Sequence, residues 1–352
     1  MWILQLQTWE VQSNSRNEEN MNNIIEINNL TKRYRRYKKK EGLKGSLVSL
    51  IKREYVEKTA VNQMDLSVAE GEFVGLIGPN GAGKTTLIKM LTGIIAPSDG
   101  KIDVMGFYPN HMKNAFKKQY AVVMGQKSQL FFELTVNDTL RLFKEIYELP
   151  ETQYQESKQY FANLFGVTEL MDVQVRTLSL GERMKMELMV ALLHNPRILF
   201  LDEPTIGLDA IASKQIRTFL KEVNTQRGTT ILLTSHYMED IKTLCDRTVV
   251  INHGSKVYDG KTKDLFEKYQ HKKRIWVSFH EKVQVTEELH FPVRVVEDMP
   301  YKKLYEIPKD HTKDFLSILM KYDPIDISIE EEDLAMVVER IYASNKIADN
   351  NK

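Results

Sequence analysis

The chain has 352 residues, of which 42% are hydrophobic and 28% charged, and its formal net charge is +1. This composition is typical of a protein with one large core and room for a second, smaller one. The near-neutral charge provides no global field of the kind that draws a protein to nucleic acid. Its one cysteine, Cys245, excludes an internal disulfide and a multi-cysteine metal site. No apolar run approaches the ~18–20 residues that span a bilayer.

The first elements in chain order are an extension, a strand and a basic run. Residues 1–22 are largely polar and unpatterned, so we expect a disordered extension there. Apolar and polar residues alternate over 24–30, which predicts a strand. A basic run over 32–40 follows, and apolar residues then recur at helical spacing, which predicts an amphipathic helix over 43–54.

A glycine-rich segment lies between a predicted strand over 72–77 and a predicted helix over 87–91. Further strands are predicted over 59–61 and 64–68. A strand, a glycine-rich turn and a helix start form a phosphate-binding loop, in which backbone N–H groups and the helix dipole face the anion. Lys84 can reach the β- and γ-phosphates, and the hydroxyl of Thr85 can bind Mg²⁺. The segment consists of Gly78, Pro79, Asn80, Gly81, Ala82, Gly83, Lys84, Thr85 and Thr86.

The middle of the chain has a helical pattern, which predicts a helical subdomain over about 116–190. Strands and helices then alternate, with apolar strands expected over 198–201, 230–233 and 249–251. Buried strands that alternate with helices indicate a mostly parallel, helix-covered sheet.

Two carboxylates follow the first of these strands. Asp202 and Glu203 are expected at its carboxyl end, where chemistry is usually located in a parallel sheet. Asp202 can hold Mg²⁺ through water, and Glu203 can orient and polarise an attacking water. A second anion site is expected at Ser179 and Gly181, because a serine N-cap and a glycine N–H at a helix start favour anions. By itself that segment is an ordinary capped helix.

The last part of the chain predicts a small α+β domain over 270–346, which carries no obvious catalytic group. Its strands are expected over 274–279, 293–296, 303–307 and 325–329, and its helices over about 311–322 and 331–344.

The ordered motifs between Ile24 and Gly260 resemble those of the ATP-binding subunit of an ABC transporter. The resemblance implies an α/β P-loop NTPase fold, with an ABC ATPase domain over 23–265. Residues 78–86 match its Walker A motif, and Asp202 and Glu203 match its Walker B carboxylates.

The remaining motifs of that family also have counterparts in this sequence. Gln126 matches the Q-loop glutamine that contacts Mg²⁺ and faces the membrane subunit. Ser179 and Gly181 match the signature motif, and Asp209 matches the D-loop aspartate. His236 matches the switch histidine at the γ-phosphate. The aromatic residue that stacks on adenine corresponds to Tyr34, with Tyr37 and Tyr55 as competitors.

The sequence departs from the family pattern in two places. Leu180 and Glu182 replace a glycine and a glutamine of the usual signature, whereas Ser179 and Gly181, the pair that the resemblance places at the γ-phosphate, are kept. An insertion over 35–55 follows the adenine aromatic. Together with the small C-terminal domain, these features resemble the subunits that serve type-2 ABC exporter permeases.

The resemblance implies an ATPase that drives export through a separate membrane permease from the cytoplasmic face of the membrane. Its cofactors would be ATP and Mg²⁺, and Lys84, Glu203 and His236 would be its catalytic residues. A second subunit would complete each ATP site head to tail, and no nucleic-acid partner is expected. The alternative is a soluble ABC-type ATPase that acts on nucleic acid or ribosomes.

The basic run over 32–40 could bind anionic lipid or nucleic acid, or simply be solvated. The helix over 43–54 could dock on a permease, lie on the membrane or pack on its own domain.

Overall fold

The structure is a computed structural model, which describes residues 23–37, 55–125, 128–284, 289–332 and 336–341. The extension expected over 1–22, the helix expected over 43–54 and Gln126 lie outside the described residues. Contacts divide the chain into a first unit that ends at Asp259 and a second unit that begins at Gly260. This division precedes the limit at 265 expected from the sequence, because the next helix belongs to the second unit.

In the first unit, strands β1 to β9 span Asn23–Tyr37, Tyr55–Ala69, Phe73–Ile77, Asp99–Val104, Tyr120–Met124, Ile198–Asp202, Thr230–Thr234, Arg247–Asn252 and Ser255–Lys261. Helices α1 to α7 span Lys84–Leu91, Asn114–Lys117, Val136–Tyr147, Glu151–Phe165, Leu180–Leu192, Ala210–Arg227 and Met238–Leu244. Short 3-10 turns cover Pro109–His111, Thr168–Leu170 and Val175–Thr177. Strand β9 continues just past the division between the two units.

Two sheets form the frame of the first unit in the part of the chain that the structure describes. Strands β2, β1 and β4 pair antiparallel in that order. The larger sheet has the order β5-β6-β7-β3-β8-β9, and its neighbours from β5 to β8 run parallel. The predicted α/β class with a mostly parallel sheet is therefore confirmed.

The parallel strands are buried along their whole length at the centre of the sheet. Every residue of β3 and β7 is buried, which requires apolar side chains on both faces. Leu87 and Ile88 of α1 pack into the same core as Leu76 of β3 and Phe200 of β6. The carboxyl ends of β3, β6 and β7 lie along one edge of the sheet, so the residues that follow these strands come together there.

The region from residue 116 onward is less helical than its sequence pattern predicted. Helix α2 is only four residues long, and β5 follows it and pairs in parallel with β6. The residues Tyr120 to Met124 alternate between half-buried and buried, as an aromatic and β-branched strand at a sheet edge does. The long helices α3 to α5 begin only at Val136.

The second unit is an antiparallel sheet with helices. Helices α8 and α9 span Thr262–Tyr269 and Thr312–Leu319. Strands β10 to β13 span Lys272–Phe279, Arg294–Asp298, Lys302–Pro308 and Pro324–Glu331. The sheet order is β11-β12-β10-β13, and 3-10 turns cover Lys309–His311 and Met320–Tyr322. Phe315 and Leu319 of α9 pack on Ile275, Val277 and Phe279 of β10. Of the helix expected over 331–344, the structure describes a helical stretch at 336–341.

Candidate nucleotide site

The loop between β3 and α1 has a backbone path that its glycines make possible. Gly78, Gly81 and Gly83 have φ angles of 155°, 80° and 114°, in the region that side chains disfavour. A Cβ at Gly78 would overlap the carbonyl oxygen of Ile251, and one at Gly83 would overlap that of Ala60. The loop is therefore held tightly against β8 and β2, and Gly83 is the N-cap of α1.

The loop presents its tip outward and its lysine inward. Pro79, Asn80 and Gly81 are exposed, Ala82 is buried, and Thr86 is half-buried at the start of α1. The Lys84 ammonium donates hydrogen bonds to the carbonyl oxygens of Gly78, at 2.7 Å, and Pro79, at 3.2 Å. Burial lowers the pKa of Lys84, and the carboxylates of Glu203 and Asp202 oppose that shift. The cation thus lies inside the concavity where the loop can accept a phosphate.

A threonine from the loop and a second threonine meet the carboxylate at the end of β6. The Thr85 hydroxyl donates to Asp202 Oδ2 at 3.0 Å, and the Thr234 hydroxyl donates to Asp202 Oδ1 at 2.6 Å. A hydroxyl and a carboxylate are hard oxygen donors of the kind that Mg²⁺ prefers. Thr85 and Asp202 therefore fit the predicted metal role, whereas Gln126, the third residue of that set, is outside the described residues.

The next residue, Glu203, is held in a strained backbone conformation. Its φ angle is 58°, in the left-handed region, and its N–H donates to the carbonyl oxygen of Thr234 at 3.0 Å. A Cβ on the neighbouring Gly125 would overlap the Glu203 carbonyl oxygen, so this turn is packed closely. The Glu203 carboxylate lies 2.6 Å from His236 Nε2. The predicted acid and histidine are thus brought together at the edge of the sheet.

The serine of the second predicted anion site begins α5 and forms a capping box. Ser179 Oγ accepts from the Glu182 N–H at 3.3 Å, and the Ser179 N–H donates to Glu182 Oε2 at 2.8 Å. The Ser179 hydroxyl also donates to Glu182 Oε2 at 2.7 Å, and these bonds from Ser179 lower the pKa of Glu182. Glu182 therefore faces its own helix start.

Gly181 and Asp209 lie where the starts of α5 and α6 approach each other. A Cβ on Gly181 would come within 2.9 Å of the Ala212 Cβ, so only glycine permits this spacing. Asp209 is the N-cap of α6, and its carboxylate accepts from the Ala212 N–H at 2.8 Å. Leu180 is exposed, and its side chain lies beside Gly207. The two predicted motifs are thus structurally adjacent.

Tyr34 lies on β1, opposite Lys58 of β2, and its side chain is partly exposed. The Lys32 ammonium lies 5.3 Å from the centre of its ring. Two residues along β2 from Lys58, the carbonyl of Ala60 packs against Gly83 of the phosphate loop. The strand register therefore brings Tyr34 to the same end of the unit as the loop, and its contact with adenine stays a prediction.

One residue of the site was not assigned a role from the sequence. Thr234, at the end of β7, binds Asp202 and also accepts from the Glu203 N–H at 3.1 Å. Its hydroxyl holds the Asp202 carboxylate and the Glu203 backbone against the end of β7. The only signal for it was its position at the carboxyl end of a buried strand, two residues before His236.

Comparisons with known proteins agree with this geometry. The family model described as "ABC transporter" matches residues 61–206. The ATP-binding protein NatA of Bacillus subtilis is 34% identical over 208 residues, which cover 59% of this chain and 84% of that protein. The Nod factor export ATP-binding protein I of a Rhizobium species is 35% identical over 219 residues, 62% of this chain and 71% of that protein. A solved ATP-binding subunit of an ABC transporter is 25% identical with a TM-score of 0.57, and the match covers 70% of this chain and 93% of that one.

The chain belongs to the family of ABC transporter ATP-binding proteins. It is an ATP-binding subunit and an ATPase of that family, and such subunits dimerise and work with membrane permease components. Within the ranges described, no helix is both long and apolar enough to cross a membrane. The comparisons give no support to the alternative of an ATPase that acts on nucleic acid or ribosomes.

Proposed function

We propose that two ATPase subunits, head to tail, hydrolyse ATP with Mg²⁺ and drive export through a separate permease of the type-2 ABC exporter class. The observation that carries this proposal is the continuous set of contacts from Thr85 through Asp202 and Thr234 to Glu203 and His236. It joins the phosphate loop to the groups that a hydrolytic water needs. The export direction is supported by the name of the Rhizobium relative.

The chemistry assigned to this chain is positioning and charge neutralisation. Lys84 would exchange its two carbonyl partners for phosphate oxygens when the triphosphate enters the loop. Thr85 and Asp202 would hold Mg²⁺, which neutralises developing charge on the phosphates. Glu203 would accept a hydrogen bond from the attacking water, and His236 would leave Glu203 to contact the γ-phosphate. Tyr34 would stack on the adenine.

The second half of each site would come from the partner copy. Ser179 supplies a hydroxyl and Gly181 a backbone N–H at the start of α5, whose 13 residues form a full helix with a positive N-terminal end. ATP would then be bound from both sides, and the dimer would close on it. Hydrolysis would remove the γ-phosphate bridge and allow the copies to separate. Asp209, at the adjacent helix start, would contact the same interface.

The surface that would meet the permease is formed by residues that follow Gln126 in the sequence. Phe131 and Phe132 are 48% and 45% exposed there. A groove of about 580 Å³ borders the same segment and is lined in part by Ile94, Ile146 and Gln129. Exposed apolar side chains around a groove mark a protein contact site rather than a solvated surface. With a permease bound here, the chain would be a peripheral protein at the cytoplasmic face of the membrane.

Affinity purification of the tagged chain from detergent-solubilised, nuclease-treated membranes tests this proposal. We expect a polytopic membrane protein to co-purify. A paired substitution, Phe131→Ser with Phe132→Ser, should reduce its recovery, while Ile325→Ser, at an exposed apolar residue of the second unit, should not. Retention of ribosomal proteins or nucleic acid without a membrane protein would contradict the proposal and favour the alternative.

A further inference from the structure

A buried carboxylate lies on the signature helix α5 but takes no part in the chemistry above. Glu187 is 4% exposed. Its Oε1 accepts from the Ser128 hydroxyl and from the Gln129 N–H at 2.8 Å, and its Oε2 lies 3.1 Å from the same N–H. The Leu130 N–H also interacts with this carboxylate. A buried carboxyl group with several donors from one short segment fixes that segment firmly, because each unsatisfied donor would carry a desolvation penalty.

The rest of this segment, residues 128–134, is bound to the same helix and to the residues that precede it. The Arg183 guanidinium lies 5.0 Å from the centre of the Phe132 ring, one helical turn before Glu187. The Val175 N–H donates to the Leu134 carbonyl at 3.0 Å, and the Arg176 N–H donates to the Phe132 carbonyl at 3.1 Å. Residues 128–134 are therefore attached to the signature region at several points along their length.

Helix α5 connects these attachments to the predicted trans-acting serine. Ser179 caps its first turn, and Glu187 follows eight residues later, about 12 Å along the axis at 1.5 Å per residue. In a rigid-body movement of α5, a displacement of Ser179 displaces Glu187 by a similar amount. The carboxylate then moves the 128–134 segment, which carries Phe131 and Phe132 on its exposed side.

We propose that Glu187 is a positioning residue that locks residues 128–134 to the signature helix, so that engagement of a partner's ATP at Ser179 moves the aromatic surface that faces the permease. This inference rests on the proposed function. It assigns the transmission step to a buried carboxylate that contacts neither ATP nor the permease.

Hydrogen exchange on the full chain tests this step. In a Glu203→Gln parent, ATP with Mg²⁺ should drive dimerisation and slow the exchange of the 128–134 amides several-fold. Glu187→Ala should leave nucleotide binding and dimerisation within about threefold of the parent but abolish the response of these amides. Glu187→Gln, which keeps the side-chain volume and one acceptor oxygen, should restore part of the response. Leu192→Ala, a substitution at a buried residue of the same helix, should lower the stability of the protein but leave the response of the 128–134 amides in place.

The outcomes separate this inference from the proposed function. If the Glu187→Ala protein does not fold, the test rests on Glu187→Gln. An ATP-induced slowing of the 128–134 amides in Glu187→Gln that equals the parent's then overturns the inference. ATP-driven dimers whose 128–134 amides respond normally in both Glu187 variants overturn it alone. A parent that does not dimerise with ATP overturns the proposed function and this inference together. A response lost in Glu187→Ala, kept in Leu192→Ala and partly rescued in Glu187→Gln supports it.

Discussion

At the residue scale, the proposed site separates Glu203, which would act on the attacking water, from Lys84, which would hold the nucleotide. Glu203 is held by a strained turn beside His236, whereas Lys84 lies inside the phosphate loop. The order of the sequence motifs predicts a role for each of these two residues. It predicts none for Thr234 or Glu187, because their contacts are with partners that lie far away in the chain and meet them only in the folded structure.

Glu203→Gln should retain ATP binding and lose about 100-fold or more of turnover. The amide has the shape of the carboxylate but does not accept a proton from the attacking water. Lys84→Ala should instead lose ATP affinity, since the loop then lacks its cation. Phosphate release measured beside binding of a fluorescent ATP analogue distinguishes the two effects. Near-wild-type hydrolysis by Glu203→Gln would show that another group activates the water.

Glu182→Gln should change turnover by only a few-fold. The side chain is engaged with its own helix start, and glutamine keeps one oxygen to accept from the Ser179 N–H. Ser179→Ala should lower both turnover and stability by more than Glu182→Gln does. It removes the hydroxyl and also an N-cap that contributes about 1 kcal/mol to the stability of the helix. Steady-state ATPase assays and thermal melts of the two variants test this contrast. A loss in Glu182→Gln as large as that in Ser179→Ala would mean that the carboxylate itself takes part in the ATP site.

At the scale of elements, the apolar strands were predictable and the amphipathic or polar ones were less so. Strands β3, β6 and β7 have continuous apolar runs that indicate burial on both faces. Strand β5 is short and flanked by helical patterns, and β4 and β9 bury few side chains. Their place in the structure is decided by pairing with neighbouring strands, which a local pattern does not contain.

His194 joins helix α3 to strand β5 and should make the first unit sensitive to acid. Its ring stacks on Tyr147 at the end of α3, with centroids 3.8 Å apart, and its Nε2–H donates to the Tyr120 carbonyl of β5 at 3.2 Å. Burial lowers the pKa of His194 to about 4, although the bond to Tyr120 opposes the shift. Because an unfolded histidine titrates near pH 6.5, this contribution is complete above pH 6.5 and is lost as the pH falls toward 4.

The loss should amount to about 2 kcal/mol at pH 5, from the linkage between protonation and unfolding. His194→Phe keeps an aromatic ring but does not titrate, so its melting temperature should fall less than that of the wild type between pH 7 and pH 5. His111→Phe, at an exposed histidine, should keep the wild-type pH dependence. Equal falls in the wild type and in His194→Phe would show that other groups control the acid sensitivity.

At the scale of the whole molecule, the sequence predicts an ABC ATPase domain over 23–265 and a small α+β domain over 270–346. Contacts divide the chain between Asp259 and Gly260, so helix α8 falls in the second unit. A composition change near residue 270 is visible in the sequence, whereas the assignment of a connecting helix depends on which core its apolar side chains enter.

Deletion of residues 1–20 should leave the melting temperature and the ATPase rate unchanged. The second half of this segment is polar and rich in Asn, Glu and Ser, and the apolar stretch at the segment's start is broken by glutamines, so we expect the segment to lie outside the folded domain. Differential scanning fluorimetry and phosphate release on the shortened chain provide the measurement. A fall of several degrees would indicate that Trp2 or Trp9 packs on a folded domain.

A head-to-tail dimer places Ser179 of one copy on the ATP that the other copy holds. Sedimentation velocity of Glu203→Gln with ATP and Mg²⁺, compared with Ser179→Arg in the same background, tests this arrangement most directly. The parent should sediment as a dimer with ATP and as a monomer with ADP. The Ser179→Arg protein should bind ATP as tightly as the parent and yet remain a monomer, because arginine blocks only the partner's γ-phosphate. An ATP-driven dimer of the Ser179→Arg protein would contradict the head-to-tail site.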